Sequence, residues 1–194
     1  DPTTEYAIKL FSVHRIGLEP EPGVDLEPLL ADIERSCVER ISIQQQASAA
    51  SPNVSVIFET GQDERGVWYA TRFYPRSVNR IISGRVALGR DAMHHIVRSM
   101  ARGALDIQRT CGRSHGEILP SNVQISRSEK LVEAEVVLSD PMPGSDVDAV
   151  RYELSDLHAI GRILLQLVLR REIAHDDGSA LILPILPSIE WTRL

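Results

Sequence analysis

Three side chains able to bind a ligand or accept a proton lie close together in the stretch from His115 to Asn122. His115 offers an imidazole, Glu117 a carboxylate and Asn122 an amide oxygen, and the stretch also contains turn-forming Gly, Pro and Ser. A long amphipathic pattern precedes the stretch and the short Val-Gln-Ile run 123–125 follows it, so the pattern predicts a loop between a helix and a strand. Because loops held by regular elements often carry function, these residues are the first candidates for a site.

Two further candidates lie outside this stretch. Lys9 falls within the alternating run Tyr6 to Phe11, which predicts a strand, in a chain whose other basic residues are nearly all Arg. A compact ammonium suits phosphate oxygens, although a solvated strand lysine explains the same pattern. Asp140 follows the apolar run 136–138. Its carboxylate is a ligand type that Mg²⁺ prefers.

The composition limits the classes of function. The chain has 194 residues, 43% of them hydrophobic, and a formal charge of −6, so it can bury a core as one domain or two small lobes. That charge argues against a nucleic-acid backbone as partner, and we find no apolar run long enough to span a membrane in this segment. Cys37 and Cys111 have no partner motif, which predicts reduced thiols and a cytoplasmic location. Because the first residue is Asp, we expect a segment of a longer protein.

Hydrophobic periodicity predicts alternating sheet and helix segments. Asp25 is the expected N-cap of the first helix, after a loop over 12–24, and 44–50 is expected to be additional length beyond it. Ser155 is expected to open the last helix. The predicted elements are a strand at 6–11, helices at 26–41, 77–82, 91–111 and 155–169, and two hairpins, 54–58 with 67–73 and 122–126 with 134–138.

The stretch His115 to Asn122 resembles the catalytic loop of protein kinases, His-Arg-Asp-x-x-x-x-Asn. His115 stands at the His, Glu117 at the catalytic Asp and Asn122 at the metal-binding Asn. Gly116 replaces the Arg, and Leu119 stands where a phosphate-neutralising Lys is usual. The resemblance therefore implies a fold more strongly than it implies an activity.

Other kinase motifs occur in the same order along residues 6–170. Ala7-Ile8-Lys9 resembles the Val-Ala-Ile-Lys strand, and Asp140-Pro141-Met142 stands where Asp-Phe-Gly would. Ser155-Asp156 resembles the start of the kinase helix whose Asp accepts hydrogen bonds from the catalytic-loop backbone. The resemblance implies an α+β, protein-kinase-like two-lobe fold. Its expected parts are a reduced antiparallel sheet lobe at 1–74 and a mainly helical lobe at 75–194, which we expect to stop before a full set of C-terminal helices.

The resemblance also implies a site. Glu117 takes the position of the catalytic base, Glu39, or else Glu34, would pair with Lys9, and Thr71 and Phe73 fall at the gatekeeper and hinge. The resemblance does not decide whether a cofactor is bound. ATP and Mg²⁺ are the cofactors that it implies, and Mg²⁺ would have protein ligands only if nucleotide binds. The implied nucleotide-binding residues are Lys9, Glu39, Thr71, Phe73, Asn122 and Asp140, and the implied Mg²⁺ ligands are Asn122 and Asp140.

Several altered positions favour a pseudokinase, a regulatory or protein-interaction domain with little or no catalysis and a protein as partner. The altered loop and the few residues between Asp140 and Asp156 support this interpretation, since phosphoryl transfer depends on positioning and charge stabilisation. An atypical ATP-dependent phosphotransferase of the serine/threonine-kinase type stays an alternative, because Lys9, Asn122 and Asp140 are retained. A purely structural kinase-fold module is the second alternative.

Overall fold

The computed structural model describes residues 5–11, 27–144 and 149–173. The loop expected at 12–24, the N-cap expected at Asp25 and the tail 174–194 lie outside these ranges. Within them, no helix is both long and apolar enough to cross a membrane. The elements are β1 (Tyr6–Phe11), α1 (Glu27–Ser48), β2 (Ile57–Asp63), β3 (Gly66–Arg72), β4 (Arg76–Ser77), α2 (Val78–Ser83), α3 (Arg90–Cys111), β5 (Val123–Ile125), a 3-10 turn (Leu131–Glu133), β6 (Val136–Leu138) and α4 (Ala149–Leu169).

The first sheet contains three antiparallel strands in the order β1-β3-β2. β2 and β3 form a hairpin where one is expected, but its first strand runs over Ile57–Asp63 and not over 54–58. The turn is tighter than the sequence predicts, because the strands extend to Asp63 and from Gly66. Val67 and Tyr69 pack with Cys37 and Ile41 of α1 in one buried cluster. Since directly opposed residues share a face of the sheet, the pairing of Lys9 with Tyr69 places both side chains on the α1 side.

Helix α1 is longer than the sequence predicts. The predicted helix ended near residue 41, with 44–50 as additional length, whereas α1 continues to Ser48. The apolar stripe continues through Ile43 and Ala47, which are buried against Val54 and Ile107 of the following segments. This second contact extends the helix and joins α1 to α3.

Helix α3 lies at the centre of the larger core. Its predicted stripe is confirmed, since Ile96, Met100 and Ile107 are almost fully buried. The second predicted hairpin is also confirmed, as β5 and β6 pair antiparallel in the small sheet β4-β5-β6. The core cluster includes Val78, Ile82, Ile96, Met100, Ile118, Val123, Ile125, Leu138, Ile163 and Leu167.

Helix α4 begins at Ala149, ahead of the start expected at Ser155. Residues 149–154 contain Ala, Arg, Glu and Leu, which are good helix formers, so the helix extends toward its N-terminus. Asp156 therefore lies inside the helix and is not a residue of its N-cap. Ile160, Ile163 and Leu167 attach α4 to the larger core.

We predict opposite effects of alanine at two helical glycines. A Cβ at Gly103 would lie 2.7 Å from the Asn53 carbonyl oxygen and 3.1 Å from Leu138 Cδ1, whereas a Cβ at Gly161 meets nothing within 4 Å. Helix propensity favours alanine by about 0.5–1 kcal/mol at both sites, but overpacking costs about 1–3 kcal/mol. Denaturant titration should give a lower free energy of unfolding for Gly103→Ala and a higher one for Gly161→Ala. Equal stabilisation of both variants would contradict this packing.

Candidate functional site

The candidate site is built on the loop that follows α3. Gly112 ends the helix in the left-handed conformation, with φ of 69°, and its N–H donates to the Gln108 carbonyl at 2.9 Å. The loop returns to regular structure where the Asn122 N–H donates to the Leu119 carbonyl at 2.9 Å, just before β5. The predicted position of the loop between a helix and a strand is confirmed.

His115 is a buried structural residue of this loop. Its Nε2 lies 3.1 Å from the Ser139 carbonyl oxygen, and its Nδ1 accepts the Glu117 N–H at 3.2 Å. Because a carbonyl only accepts and an amide N–H only donates, the ring proton belongs on Nε2. Complete burial lowers the pKa of His115 to about 4, against smaller opposing effects of the Ser139 carbonyl and Asp140. A neutral imidazole therefore joins the loop to the end of β6.

Asp156 fixes the same loop from α4. One carboxylate oxygen accepts the His115 N–H at 2.8 Å and the other accepts the Gly116 N–H at 2.9 Å. Asp156 is only 5% exposed. This is the contact that the kinase resemblance implies for this residue.

Gly116 has a structural reason to replace the usual arginine. Its φ is 78°, a conformation that side chains disfavour, and a Cβ there would lie 2.9 Å from Met142 Cβ. The segment after Asp140 passes close to the loop because the Met142 N–H donates to the His115 carbonyl at 2.7 Å.

Both carboxylate oxygens of Asp140 accept hydrogen bonds. Tyr69 Oη donates to its Oδ1 at 2.9 Å, while its Oδ2 accepts from Ser139 Oγ at 3.0 Å and from the Lys9 ammonium. Its backbone N–H donates to Gln44 Oε1 at 2.8 Å. Asp140 also has a φ of 59°, uncommon for a residue other than glycine, which indicates a locally constrained conformation.

Charge and burial oppose each other at Asp140. Burial by itself would raise the pKa of Asp140, but the Lys9 ammonium and the hydrogen bonds from Lys9, Tyr69 and Ser139 hold that pKa below its usual range. Burial, followed by the negative charge of Asp140, raises the pKa of Tyr69. Tyr69 therefore remains a proton donor to an ionised Asp140.

Helix α1 contacts the loop through two neighbouring ion pairs. Arg40 Nη2 lies 3.1 Å from Glu117 Oε2, and Glu39 Oε1 lies 3.6 Å from Arg113 Nη1. The expected pair between Glu39 and Lys9 is replaced by these contacts, since Lys9 is bound to Asp140. The alternative partner, Glu34, accepts a hydrogen bond from Gln62 at 3.2 Å.

Arg113 extends this connection to the segment beyond Asp140. Its guanidinium donates to the Met142 carbonyl at 2.6 Å and to the Gly144 carbonyl at 2.5 Å. The side chain of Arg113 is only 14% exposed. Helix α1, the loop and the segment 142–144 therefore meet at one guanidinium.

The two residues expected at the gatekeeper and hinge already have partners. Thr71 Oγ1 donates to the Val56 carbonyl at 2.7 Å and lies 2.8 Å from Ser55 Oγ. The Phe73 N–H donates to the Glu5 carbonyl at 2.9 Å, which continues the pairing of β1 with β3. An adenine ring would have to displace this bond to use the Phe73 donor.

The residues implied as Mg²⁺ ligands do not fit that ion in this arrangement. Asn122 directs Nδ2 at the Glu117 carbonyl, 3.0 Å away, and its Oδ1 accepts from Ser121 Oγ at 3.3 Å. Both oxygens of Asp140 receive donors. Mg²⁺ demands oxygen ligands at about 2.0–2.1 Å in octahedral geometry. Among the described residues, no three His, Cys, Asp or Glu side chains are grouped to hold a metal.

Sequence reasoning missed Gln44, Tyr69 and Arg40. Gln44 is 1% exposed although glutamine is usually a surface residue, because Nε2 donates to the Ser55 carbonyl at 2.9 Å while Oε1 holds Asp140. Tyr69 could have been found from strand alternation, since it shares a face with Val67. Arg40 lies next to the predicted Glu39, and only the rotation of α1 distinguishes their partners.

We predict that Asp156→Ala destabilises the protein, because two loop N–H groups lose their acceptor. An unsatisfied buried donor costs about 1–3 kcal/mol. Denaturant titration should show a loss of this size or larger. Glu129→Ala, which removes an exposed carboxylate, is the control and should change the free energy of unfolding little. Equal stability of the two variants would contradict the proposed role of Asp156.

We predict that His115 makes the protein less stable in mild acid. Its pKa is about 4 in the folded state and 6.5 without the fold, so the unfolded chain binds more protons between these values. The contribution is complete above pH 6.5 and falls with pH, by about 2 kcal/mol between pH 7 and pH 5. Unfolding titrations at both pH values should show a smaller difference for His115→Gln. An unchanged difference would assign the pH dependence to other groups.

Comparison with known proteins is consistent with this geometry. No protein-family profile matches the sequence, and no curated protein matches it. The structure is similar to the kinase domain of Mycobacterium tuberculosis PknI, solved as a single-substitution variant, with a TM-score of 0.59, 16% identity and 86% of this chain covered. A double-substitution variant of that domain gives a TM-score of 0.57 and 15% identity, covering 85% of this chain and 71% of that one. The present chain spans 64% of the first domain's length. At such low identity the likeness shows the fold alone: the chain has a mixed α+β, protein-kinase-like two-lobe fold.

Proposed function

We propose that this chain is a pseudokinase-like module, a regulatory or protein-interaction domain that transfers no phosphate. Residues 1–74 form its reduced sheet lobe and 75–194 its helical lobe. The cleft between them serves recognition or positioning. Because its chemical groups are bound to one another, we expect weak nucleotide binding or none.

The ion pair between Arg40 and Glu117 carries this proposal. Glu117 stands at the catalytic-base position, and its Oε2 accepts from Arg40 Nη2 at 3.1 Å. A base must reach the proton that it abstracts within hydrogen-bond distance. To use this oxygen, a substrate hydroxyl would have to compete with a guanidinium whose side chain is only 22% exposed.

The surroundings of Glu117 support the same function. Leu119 provides no positive charge at the place where the kinase resemblance implies a phosphate-neutralising Lys. Only residues 141–148 separate Asp140 from the start of α4, which leaves little chain for an activation segment and a peptide-docking loop. Phosphoryl transfer is mostly positioning and charge stabilisation, so several such changes together should abolish it.

The outer face of the first sheet supports a role in protein recognition. Tyr6 and Ile8 of β1 are 56% and 72% exposed, and Phe58 of β2 is 52% exposed. Tyr6 and Phe58 contact each other edge to face, with ring centroids 5.3 Å apart. Contiguous exposed apolar groups of this kind mark interaction surfaces more often than isolated ones do.

An atypical phosphotransferase is the second candidate. It is favoured by the proximity of Lys9 and Asp140, which are ion-paired, and of Asn122, whose carbonyl accepts the Ser139 N–H at 2.9 Å. In this case the ion pair with Arg40 would block Glu117 reversibly. A purely structural kinase-fold module, the third class, would bind no nucleotide.

We predict that the protein incorporates no label from γ-labelled ATP, into itself or into generic protein substrates, with either Mg²⁺ or Mn²⁺. Glu117→Ala is the control for contaminating kinases, and Arg40→Ala tests whether the ion pair with Arg40 blocks Glu117. All three proteins should be equally inactive. Label that appears with the wild type and disappears in Glu117→Ala would contradict the proposal. Label that appears only in Arg40→Ala would support a phosphotransferase that Arg40 blocks.

A further inference from the structure

The carboxylate of Asp140 has the surroundings of a metal ligand without the geometry of one. It is only 3% exposed, and burying an ionised carboxylate is costly unless opposite charge and hydrogen bonds compensate it. In a metal site the ion supplies that charge. In this protein the opposite charge is the ammonium of Lys9.

Two strands direct their donors at Asp140 from directly opposed positions. Lys9 of β1 and Tyr69 of β3 are antiparallel partners, so both reach the carboxylate from the same face of the sheet. Lys9 binds Oδ2 and Tyr69 donates to Oδ1 at 2.9 Å. A divalent ion at Oδ2, which also accepts from Ser139, would have to displace a donor, and one at Oδ1 would have to share that oxygen with Tyr69.

The remaining contacts fix Asp140 in this orientation. Ser139 Oγ donates to Oδ2 at 3.0 Å, and Gln44 Oε1 accepts the Asp140 N–H at 2.8 Å. Asn122, the other implied ligand, has its amide engaged by Glu117 and Ser121. The second oxygen ligand that Mg²⁺ would need is therefore not directed at Asp140.

We infer that the Lys9 ammonium takes the place of a divalent metal ion at Asp140, so that the cleft is metal-independent. The inference rests on the proposed function, since a phosphoryl-transfer cleft needs the metal that Lys9 displaces. The cation is supplied by the protein itself and stays attached to β1. One charge then joins the first sheet to the end of β6, and the sheet lobe stays closed on the helical lobe without a ligand.

The test uses Mn²⁺ alone, without nucleotide, so its outcome is separate from that of the phosphate-transfer assay. Mn²⁺ binding is measured by electron paramagnetic resonance and melting temperature by calorimetry. The variants are Lys9→Met, Asp140→Asn and the two combined. Lys130→Met is the matched control, because the only other lysine of the chain lies in an exposed pair with Glu133, at 3.2 Å.

We expect Mn²⁺ to bind equally weakly, at millimolar concentration, to the wild type, to Lys130→Met and to Asp140→Asn. Lys9→Met leaves a buried carboxylate without its cation, so its melting temperature should fall by several degrees. Millimolar Mn²⁺ should recover part of that fall. The combined variant lacks the uncompensated charge, so it should melt higher than Lys9→Met and should not respond to Mn²⁺.

Three results would overturn the inference. The first is a wild-type Mn²⁺ site that Asp140→Asn removes, a comparison that needs no Lys9 variant to fold. The second is a Lys9→Met protein as stable as Lys130→Met, which would mean that Asp140 does not depend on Lys9. The third is a destabilised Lys9→Met protein that Mn²⁺ does not stabilise, since Lys9 would then not stand in for a metal.

Discussion

The structure depends on the compensation of one buried negative charge. Asp140 is held by β1 through Lys9, by β3 through Tyr69 and by α1 through Gln44. These three elements belong to the first sheet and its helix, whereas Asp140 itself follows β6 of the second sheet. An ionised carboxylate with so little exposure would be unstable without these contacts. The compensation of this charge therefore links the two halves of the described chain.

A second set of buried contacts holds the shape of the loop that follows α3. These contacts do not involve the side chain of Glu117, at the catalytic-base position. His115 and Asp156 are both buried and hold backbone groups, so replacing either one leaves a polar group unsatisfied. Glu117 is different, because its side chain is 37% exposed and its position demands only packing and charge balance. The loop can therefore keep its shape while its catalytic position changes. The ion pairs of Arg40 and Glu39 with this loop then connect α1 to it by a route other than Lys9.

The sequence predicted the elements better than their contacts. Periodicity identified β1, α3 and both hairpins, because alternation and helical spacing indicate the type of element even where apolar side chains are exposed, as Tyr6 and Ile8 of β1 are. It ended α1 too early, since Gln44 looks like a surface residue until its two hydrogen bonds are known. It placed Glu39 opposite Lys9, but the partner of a charged side chain depends on helix rotation, which short-range patterns do not determine. Asp156 was identified through the family motif, and its buried hydrogen bonds give that assignment a physical basis.

Titration calorimetry with ATP, in the absence and presence of Mg²⁺, tests most directly the claim that the groups of the cleft satisfy one another. Lys9 and Asp140 would have to exchange their mutual contact for phosphate and metal, and the Phe73 N–H would have to leave Glu5. We predict dissociation constants in the high micromolar range or weaker, about 5 kcal/mol of binding, that Mg²⁺ does not improve. Saturation at low micromolar ATP that requires Mg²⁺ would contradict the account.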